Sequence, residues 1–336
     1  MSWAPVGSES KTTRSGGEAG SAEAIASGSE FPVVSQHGLR PARNLRSRLD
    51  AHPRVLVAIL AKQKENALPL FLRCIEGLDY PKSSIVLYVR SNNNTDRTEQ
   101  ILRDWIAQVG PSYAAVEFDA APVEEPVEAF GQHEWNATRF RVLGNIRNVS
   151  LSKTTEHACD FYFVSDVDNF MHPCTLREMV ALKLPIVAPL LRVTDPNGYY
   201  SNFFAEIDLN GFYGHCDQYQ WILERRVRGV FEVPVVHCTY LIRGDVIPRL
   251  GYLDGSDRYE FAVFSDIARK AGIQQYIDNR QVYGYITFDA GSDAAKGIVG
   301  ESRHNQIAIA SEELARVAQS DQSFAELRGT PENGKR

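Results

Sequence analysis

The stretch FYFVSDVDNFM, Phe161–Met171, places the strongest constraint on what this chain can fold into. Its first half is aromatic and branched apolar, the composition of a strand buried in a core. The run stops abruptly at Asp166-Val167-Asp168. Two carboxylates spaced i, i+2 at the end of a core strand are costly unless something compensates them. The usual compensation is a divalent cation bound through hard oxygen ligands, which makes the strand end a site for a phosphate-bearing ligand. The bland alternative is a polar loop start that caps a turn near Asn169.

The pattern around this stretch alternates. VLVAIL (Val55–Leu60) predicts a strand and ENALPLFLRCIEGL a helix, with Leu68, Phe71, Leu72 and Ile75 at helical spacing. SIVLYV (Ser84–Val89) predicts a second strand. Asn92-Asn93-Asn94-Thr95-Asp96 predicts a turn, with Asp96 as N-cap of TEQILRDWIAQV. AAVEF (Ala114–Phe118) reads as a third strand. A polar loop over 119–136 leads into the helix ATRFRVLGNIRNVSLSKTTEHA, which precedes the aspartate strand. TLREMVALK then reads as a helix and PIVAPLL as a strand. Such alternation implies a mostly parallel sheet. Beyond Arg192 the segments YYSNFFAEIDLNGFY, GVFEVPVV and TYLIR read as shorter, partly antiparallel strands. RYEFAVFSDIARKAG reads as a helix, and QQYIDN and VYGYI as edge-like strands. The expected organisation is a disordered tail over 1–52, one α/β domain over 53–290, and a polar tail over 291–336 with a surface helix at Ala308–Val317.

Composition narrows the class. The 336 residues are 43% hydrophobic and 23% charged, with a net charge of −6. An acidic balance argues against a non-specific nucleic-acid binder. No apolar run approaches the roughly 18 residues that a membrane span needs. The start, MSWAPVGSESKTTRSGG, lacks the basic-then-apolar order of a secretory signal, so the expectation is a cytoplasmic protein with an intracellular acceptor. The five cysteines show no CxxC spacing and are expected as reduced thiols, although a pair such as Cys216 and Cys238 stays open.

Nine ordered blocks carry a closer resemblance: VAILAKQKENALPLFLRCIEGLDYPKSSI, NNNTDRTEQIL, TRFRVLGNIRN, FVSDVDNFM, IVAPLL, YYSNFF, GFY, VPVVHCTYLI and AGIQQYIDNRQVYGYI. Together they resemble the N-terminal glycosyltransferase domain of the procollagen galactosyltransferases, from Arg54 to Ile286. The resemblance implies a GT-A (nucleotide-diphospho-sugar transferase) fold: a mixed, mostly parallel sheet flanked by helices, with a more antiparallel second half. It also implies a transferase that uses Mn²⁺ or Mg²⁺ and a UDP-sugar, UDP-galactose or a related hexose donor. The acceptor would be a glycan, a protein or a small molecule. Asn92 stands where that family has an acidic residue, and Lys62 where it tends to have Arg.

The resemblance assigns Asp166 and Asp168 to the metal and the donor diphosphate as the DxD motif, with His237 either a third metal ligand or a core histidine. Arg147 and Asn148 would meet the diphosphate, as would Arg139; the bland alternative for them is a solvated helix face. Arg suits phosphate because its planar fork makes paired hydrogen bonds. Ala61, Lys62, Asn92 and Asn94 would line the nucleotide. Glu260, or else Asp266, would serve as general base if the reaction inverts the anomeric carbon; acidic residues are also favoured in a first helical turn. Asn202, beside Tyr199, Tyr200 and Ser201, would contact sugar hydroxyls or simply pack in a strand. Trp135 would close over the donor or pack on the domain. Two other readings compete with the transferase. One is a catalytically inactive GT-A-fold binding or adhesion module. The other is a sugar-nucleotide nucleotidylyltransferase, which needs a Gly-rich loop after the first strand, where AKQKENALP has no glycine.

Overall fold

The computed structural model describes residues 52–125, 136–288 and 303–329. The elements run β1 (Val55–Ala61), α1 (Leu68–Glu76), β2 (Ile85–Ser91), α2 (Thr98–Val109), β3 (Ala115–Asp119), α3 (Ala137–Glu156), β4 (Phe161–Ser165) and β5 (Asn169–Met171). They continue α4 (Thr175–Leu182), β6 (Ile186–Pro189), β7 (Leu191–Val193), β8 (Phe203–Phe204), α5 (Asp217–Leu223), β9 (Val230–Val233), β10 (Val235–Val236) and β11 (Thr239–Arg243). The last are α6 (Glu260–Lys270), β12 (Gln275–Asp278), β13 (Gly284–Ile286) and α7 (Arg303–Gly329).

Eight strands form the central sheet in the order β3-β2-β1-β4-β11-β6-β12-β9. The β3-β2-β1-β4 half is parallel throughout; β11 then runs antiparallel between β4 and β6, and β9 antiparallel on β12. This is the mixed, mostly parallel GT-A sheet expected from sequence, with the antiparallel pairs in the second half. Strand alternation explains the unbroken apolar runs. Val55, Val57 and Ile59 enter one buried cluster while Leu56 and Ala58 enter the other, so both faces of β1 are covered.

Helix α3, which carries Arg147, is bound to the sheet. Asn136 caps it by accepting the Arg139 N–H at 3.0 Å. Ser150 Oγ and Tyr162 OH share a hydrogen bond of 2.7 Å, which ties α3 to β4. Gly144 lets α3 approach the 252–253 loop closely: a Cβ there would lie 2.5 Å from Leu253 Cδ2 and 3.0 Å from the Tyr252 carbonyl oxygen.

Several sequence expectations change. QQYIDN and VYGYI are not edges. β12 sits between β6 and β9, and β13 is the middle strand of a small sheet, β5-β13-β7. Their polar residues are no sign of an edge, because Gln275 and Asp278 are buried and hydrogen-bonded. β5 was not anticipated, because three residues after a turn give no periodicity. YYSNFFAEIDLNGFY yields only the two-residue β8. The C-terminal helix extends well beyond Ala308–Val317, and it is not purely superficial: Ala310 is fully buried and Gln306 brackets Phe288 through both its backbone N–H and its carbonyl. All five cysteines are free thiols. No described helix is long and apolar enough to cross a membrane. The expectations for residues 1–51, for 126–135 with Trp135, and for 291–302 and 330–336 of the C-terminal tail lie outside the described residues.

Candidate functional site

Val167 is buried in the core between the two aspartates, and this peg orients the motif. Val167 and Asp168 are the central residues of a turn, in which the Val167 side chain packs inward while Asp166 and Asp168 meet Arg147 and Lys64. The turn is held at every step. The Asp166 N–H donates to the Cys238 carbonyl at 3.0 Å, and the Asn169 N–H to the Asp166 carbonyl at 2.9 Å. The Asp168 carbonyl accepts the Thr287 N–H at 3.0 Å and its hydroxyl at 3.1 Å. Asn169 Nδ2 donates to Thr239 Oγ1 at 2.8 Å. The motif is thus wedged between the start of β11 and the end of β13.

Each carboxylate meets a cation of the chain itself. Arg147 Nη2 donates to Asp166 Oδ1 at 2.9 Å, with 7% of the Arg147 side chain exposed and 34% of Asp166. Lys64 Nζ lies 2.5 Å from Asp168 Oδ2, with exposures of 24% and 19%. On its other side, Arg147 Nε stands 3.5 Å from Glu260 Oε1. Neither Nε nor Nη1 of Arg147 finds a hydrogen-bond acceptor among the described residues. Desolvation raises the Asp166 carboxyl above its ordinary value, and the nearby Asp168 charge adds to this against the pull of Arg147. Burial likewise raises Glu260. Burial works against the Arg147 guanidinium, but Asp166, Tyr240 and Glu260 outweigh it and hold its pKa well above the ordinary value.

The loops after β1 and β2 form one knitted wall beside this pair. Gln63 adopts a left-handed backbone with φ of 54°. Its N–H donates to Asn94 Oδ1 at 2.9 Å, and its side chain bonds Thr95 and the Asp96 N–H. Lys64 N–H donates to Thr98 Oγ1 at 2.7 Å. Asn93, also left-handed with φ of 46°, brackets the Val123 backbone. Non-glycine residues in this conformation carry strain that the surrounding structure must hold.

The predicted residues divide. Asp166, Asp168 and Arg147 come together. Ala61 closes the β1–β2 end, its carbonyl accepting Ser91 Oγ at 2.8 Å, and Asn92 and Asn94 lie in the same wall, both engaged with neighbouring side chains. Lys62 is half-buried on the loop after β1, and Arg139 half-buried in the first turn of α3. Asn148 faces the other way, its Oδ1 accepting the Tyr252 N–H at 2.9 Å, so its amide oxygen steadies the 252–253 loop. Asn202 is fully buried. Its oxygen accepts Leu191 N–H and Ser201 Oγ, and its amide donates to the Pro189 and Thr239 carbonyls, which exhausts its capacity for a sugar. Tyr199 is exposed and Tyr200 packs on Phe288. Glu260 lies behind the Arg147 guanidinium with 8% of its side chain exposed, so it is placed to balance that charge rather than to meet an acceptor. Asp266 belongs to a separate network with Arg258, Arg269 and Lys270. Partial burial pushes its carboxyl up, but Arg258 and Lys270 outweigh that and leave it below the ordinary value, which weakens it as a base.

His237 sits in an aromatic box, with ring centroids 5.8 Å from Tyr200 and 5.2 Å from both Phe204 and Phe261. Its Nδ1 meets Cys238 Sγ at 2.9 Å. Among the described residues no group of three or more His, Cys, Asp and Glu converges to hold a metal ion, so His237 does not complete a triad with the aspartates. The two carboxylates still fit Mg²⁺ or Mn²⁺ chemically, since hard cations at phosphate sites commonly take one or two carboxylates and fill the shell with phosphate oxygens and water.

Sequence reasoning missed Lys64. Residue type does not say which ammonium meets a carboxylate; the path of the loop after β1, with its left-handed turn at Gln63, brings the Lys64 ammonium to Asp168. It also missed Cys238, whose φ of 63° bends the chain where its carbonyl receives the Asp166 N–H.

Comparison with known proteins gives the family. The human procollagen galactosyltransferase 2 is 37% identical over 245 residues, which is 70% of this chain and 38% of that protein. The human inactive glycosyltransferase 25 family member 3 is 33% identical over 244 residues, 70% of this chain and 40% of that protein. The chain therefore spans about two-fifths of the length of these curated relatives. Among solved structures, the Staphylococcus aureus TarS 1-349 complex with UDP-GlcNAc is 14% identical with a TM-score of 0.46, covering 74% of this chain and 60% of that one. A likeness that slight has no bearing on the site. The family model described as "Glycosyltransferase family 25, N-terminal domain" matches residues 52–298, and the chain belongs to that family.

Proposed function

We propose that this chain is a metal-assisted glycosyltransferase that takes a hexose, galactose or a close relative, from a UDP-sugar and delivers it to a hydroxyl acceptor. The observation that carries this reading is the half-satisfied Arg147 guanidinium. It is buried, anchored to Asp166 by one nitrogen, and has Nη1 without an acceptor among the described residues. A buried charged donor in that state favours an anionic partner, and a diphosphate supplies one.

The residues divide the work. Asp166 and Asp168 would hold Mn²⁺ or Mg²⁺, which would neutralise charge gathering on the leaving diphosphate. Arg147 donates to the diphosphate from a position fixed by Asp166 and Glu260, so little ordering is needed when the donor binds. The knitted 61–65 and 92–96 loops form a preorganised wall for the nucleotide. The match to procollagen galactosyltransferase 2 supports UDP-galactose as the first donor to try.

A second reading is a binding module without catalysis. It draws support from the inactive family member, which matches nearly as well, and from Glu260 and Asp266 each being engaged elsewhere. One experiment separates the two. The full chain is incubated with Mn²⁺ and a panel of UDP-sugars, with UDP binding followed by calorimetry and donor turnover by UDP release. Binding with turnover, abolished in Asp168→Asn, supports the transferase. Binding without turnover supports the module. Absence of any UDP binding overturns both.

A further inference from the structure

Lys64 is the part of the site that the proposed transferase does not yet use. Among the described residues, Asp166 and Glu260 flank Arg147 and Asp168 meets Lys64, so both motif carboxylates face a cation of the chain before any ligand arrives. The two cations differ in kind. Arg147 is buried and held between two carboxylates. Lys64 is partly exposed, and its ammonium sits on Asp168, one of the two oxygen donors a divalent cation would need.

The backbone of Lys64 cannot follow a moving side chain. Its N–H is bound to Thr98 Oγ1 at 2.7 Å and its carbonyl accepts the N–H groups of Ala67 and Leu68 at 3.0 Å. The left-handed Gln63 beside it is held by Asn94, Thr95 and Asp96. Any exchange at Asp168 is therefore made by the flexible four-carbon stem alone, which lysine permits and a rigid guanidinium fork would resist.

We propose that Lys64 is a resident counter-ion that a divalent cation must displace from Asp168, and that the displaced ammonium passes to the donor diphosphate, so that cation and nucleotide bind as a coupled pair. This rests on the donor-site reading above. A cation arriving alone meets an occupied carboxylate and a like charge within contact distance. A diphosphate arriving alone meets the carboxylates. Arriving together, cation and diphosphate cancel each other's charge, and Lys64 exchanges one anionic oxygen for another.

The test measures Mn²⁺ binding to the full chain from the electron paramagnetic resonance signal of free Mn²⁺, with and without saturating UDP. Wild type is expected to bind Mn²⁺ at least about tenfold more tightly when UDP is present, within the usual range of coupling between sites. Lys64→Met is expected to bind Mn²⁺ alone about tenfold more tightly than wild type and to lose most of the coupling. Lys64→Arg keeps the charge but holds Asp168 with a fork that resists exchange, so it should bind Mn²⁺ alone no more tightly than wild type, which guards against a general effect of altering the loop. Unchanged or weaker Mn²⁺ binding by Lys64→Met without UDP overturns the proposal while leaving the donor site intact. If wild type binds no Mn²⁺ with UDP present, the donor-site reading and this proposal fall together.

Discussion

Arg147 Nη2 reaches Asp166 Oδ1 across 2.9 Å, and this contact joins α3 to the end of β4. The same guanidinium stands 3.5 Å from Glu260 at the start of α6. Three elements therefore meet at one buried charge, and removing it leaves two carboxylates enclosed without a cation. Arg147→Met is expected to lower stability by about 3–5 kcal/mol, the range for breaking a buried pair from one side. Arg147→Lys keeps a point charge but not the fork, and should cost less than half as much. Urea midpoints at pH 7 measure both, and a cost under about 1 kcal/mol for Arg147→Met would show that water rather than Arg147 satisfies the carboxylates.

Asn202 tests the division between sugar contact and scaffold. It holds the Leu191 N–H and the Pro189 and Thr239 carbonyls together, all buried. Asn202→Ala should destabilise the fold by about 3 kcal/mol or more, because several polar groups lose partners at about 1–3 kcal/mol each. UDP affinity, measured well below the unfolding temperature, should change less than about threefold, under the ~1.4 kcal/mol that a tenfold change represents. A stable variant that instead loses donor turnover would return Asn202 to the sugar.

Gly144 marks the closest approach between α3 and the 252–253 loop. Alanine normally favours a helix by up to about 1 kcal/mol over glycine. Here its methyl would press on Leu253 and on the Tyr252 carbonyl. Gly144→Ala is expected to lose about 1–2 kcal/mol net and to weaken UDP binding by displacing Arg147, three residues along the same helix. Thermal denaturation and calorimetry report the two effects, and a stabilised variant would mean that the loop simply moves aside.

Asp254 gives a pH dependence with a definite sign. Partial burial pushes its carboxyl up, but Ser256 and Arg258 outweigh this and bring it down to about 2 from an ordinary 3.8. A carboxylate with a depressed folded value contributes stability above its unfolded value and loses it as the pH falls through the folded one. Asp254 is exposed, so solvent screens the pair, and wild type should exceed Asp254→Asn by about 1 kcal/mol or less at pH 6, with the gap closing between roughly pH 4 and pH 2. A gap that persists at pH 2 would assign the effect to packing rather than charge.

Local pattern made much of this molecule readable. β1, β2 and β4 follow from apolar runs, because a strand covered on both faces has no room for polar residues. α1 follows from the spacing of Leu68, Phe71, Leu72 and Ile75, all buried against the sheet. The Asp166-Val167-Asp168 motif stood out because two carboxylates at the end of a core strand need a stated cause. Nine ordered blocks were enough to identify the family.

Partnership between distant residues was not readable, because residue type states what a side chain can bond and not what stands opposite it. Asn202 and Asn148 look like ligand-binding amides in the sequence, yet the buried Asn202 is filled by the Leu191, Pro189 and Thr239 backbone together with Ser201 Oγ, and the Tyr252 N–H engages the Asn148 oxygen. Glu260 looked like a base and became the far partner of Arg147. β12 looked like an edge and became interior, since strand order depends on crossovers that no local window contains. The sequence by itself determined that two aspartates end a core strand in a family 25 glycosyltransferase domain. Only the tertiary structure decided that Lys64 reaches Asp168, because that depends on how the loop after β1, with its left-handed turn at Gln63, is held by a loop some thirty residues away.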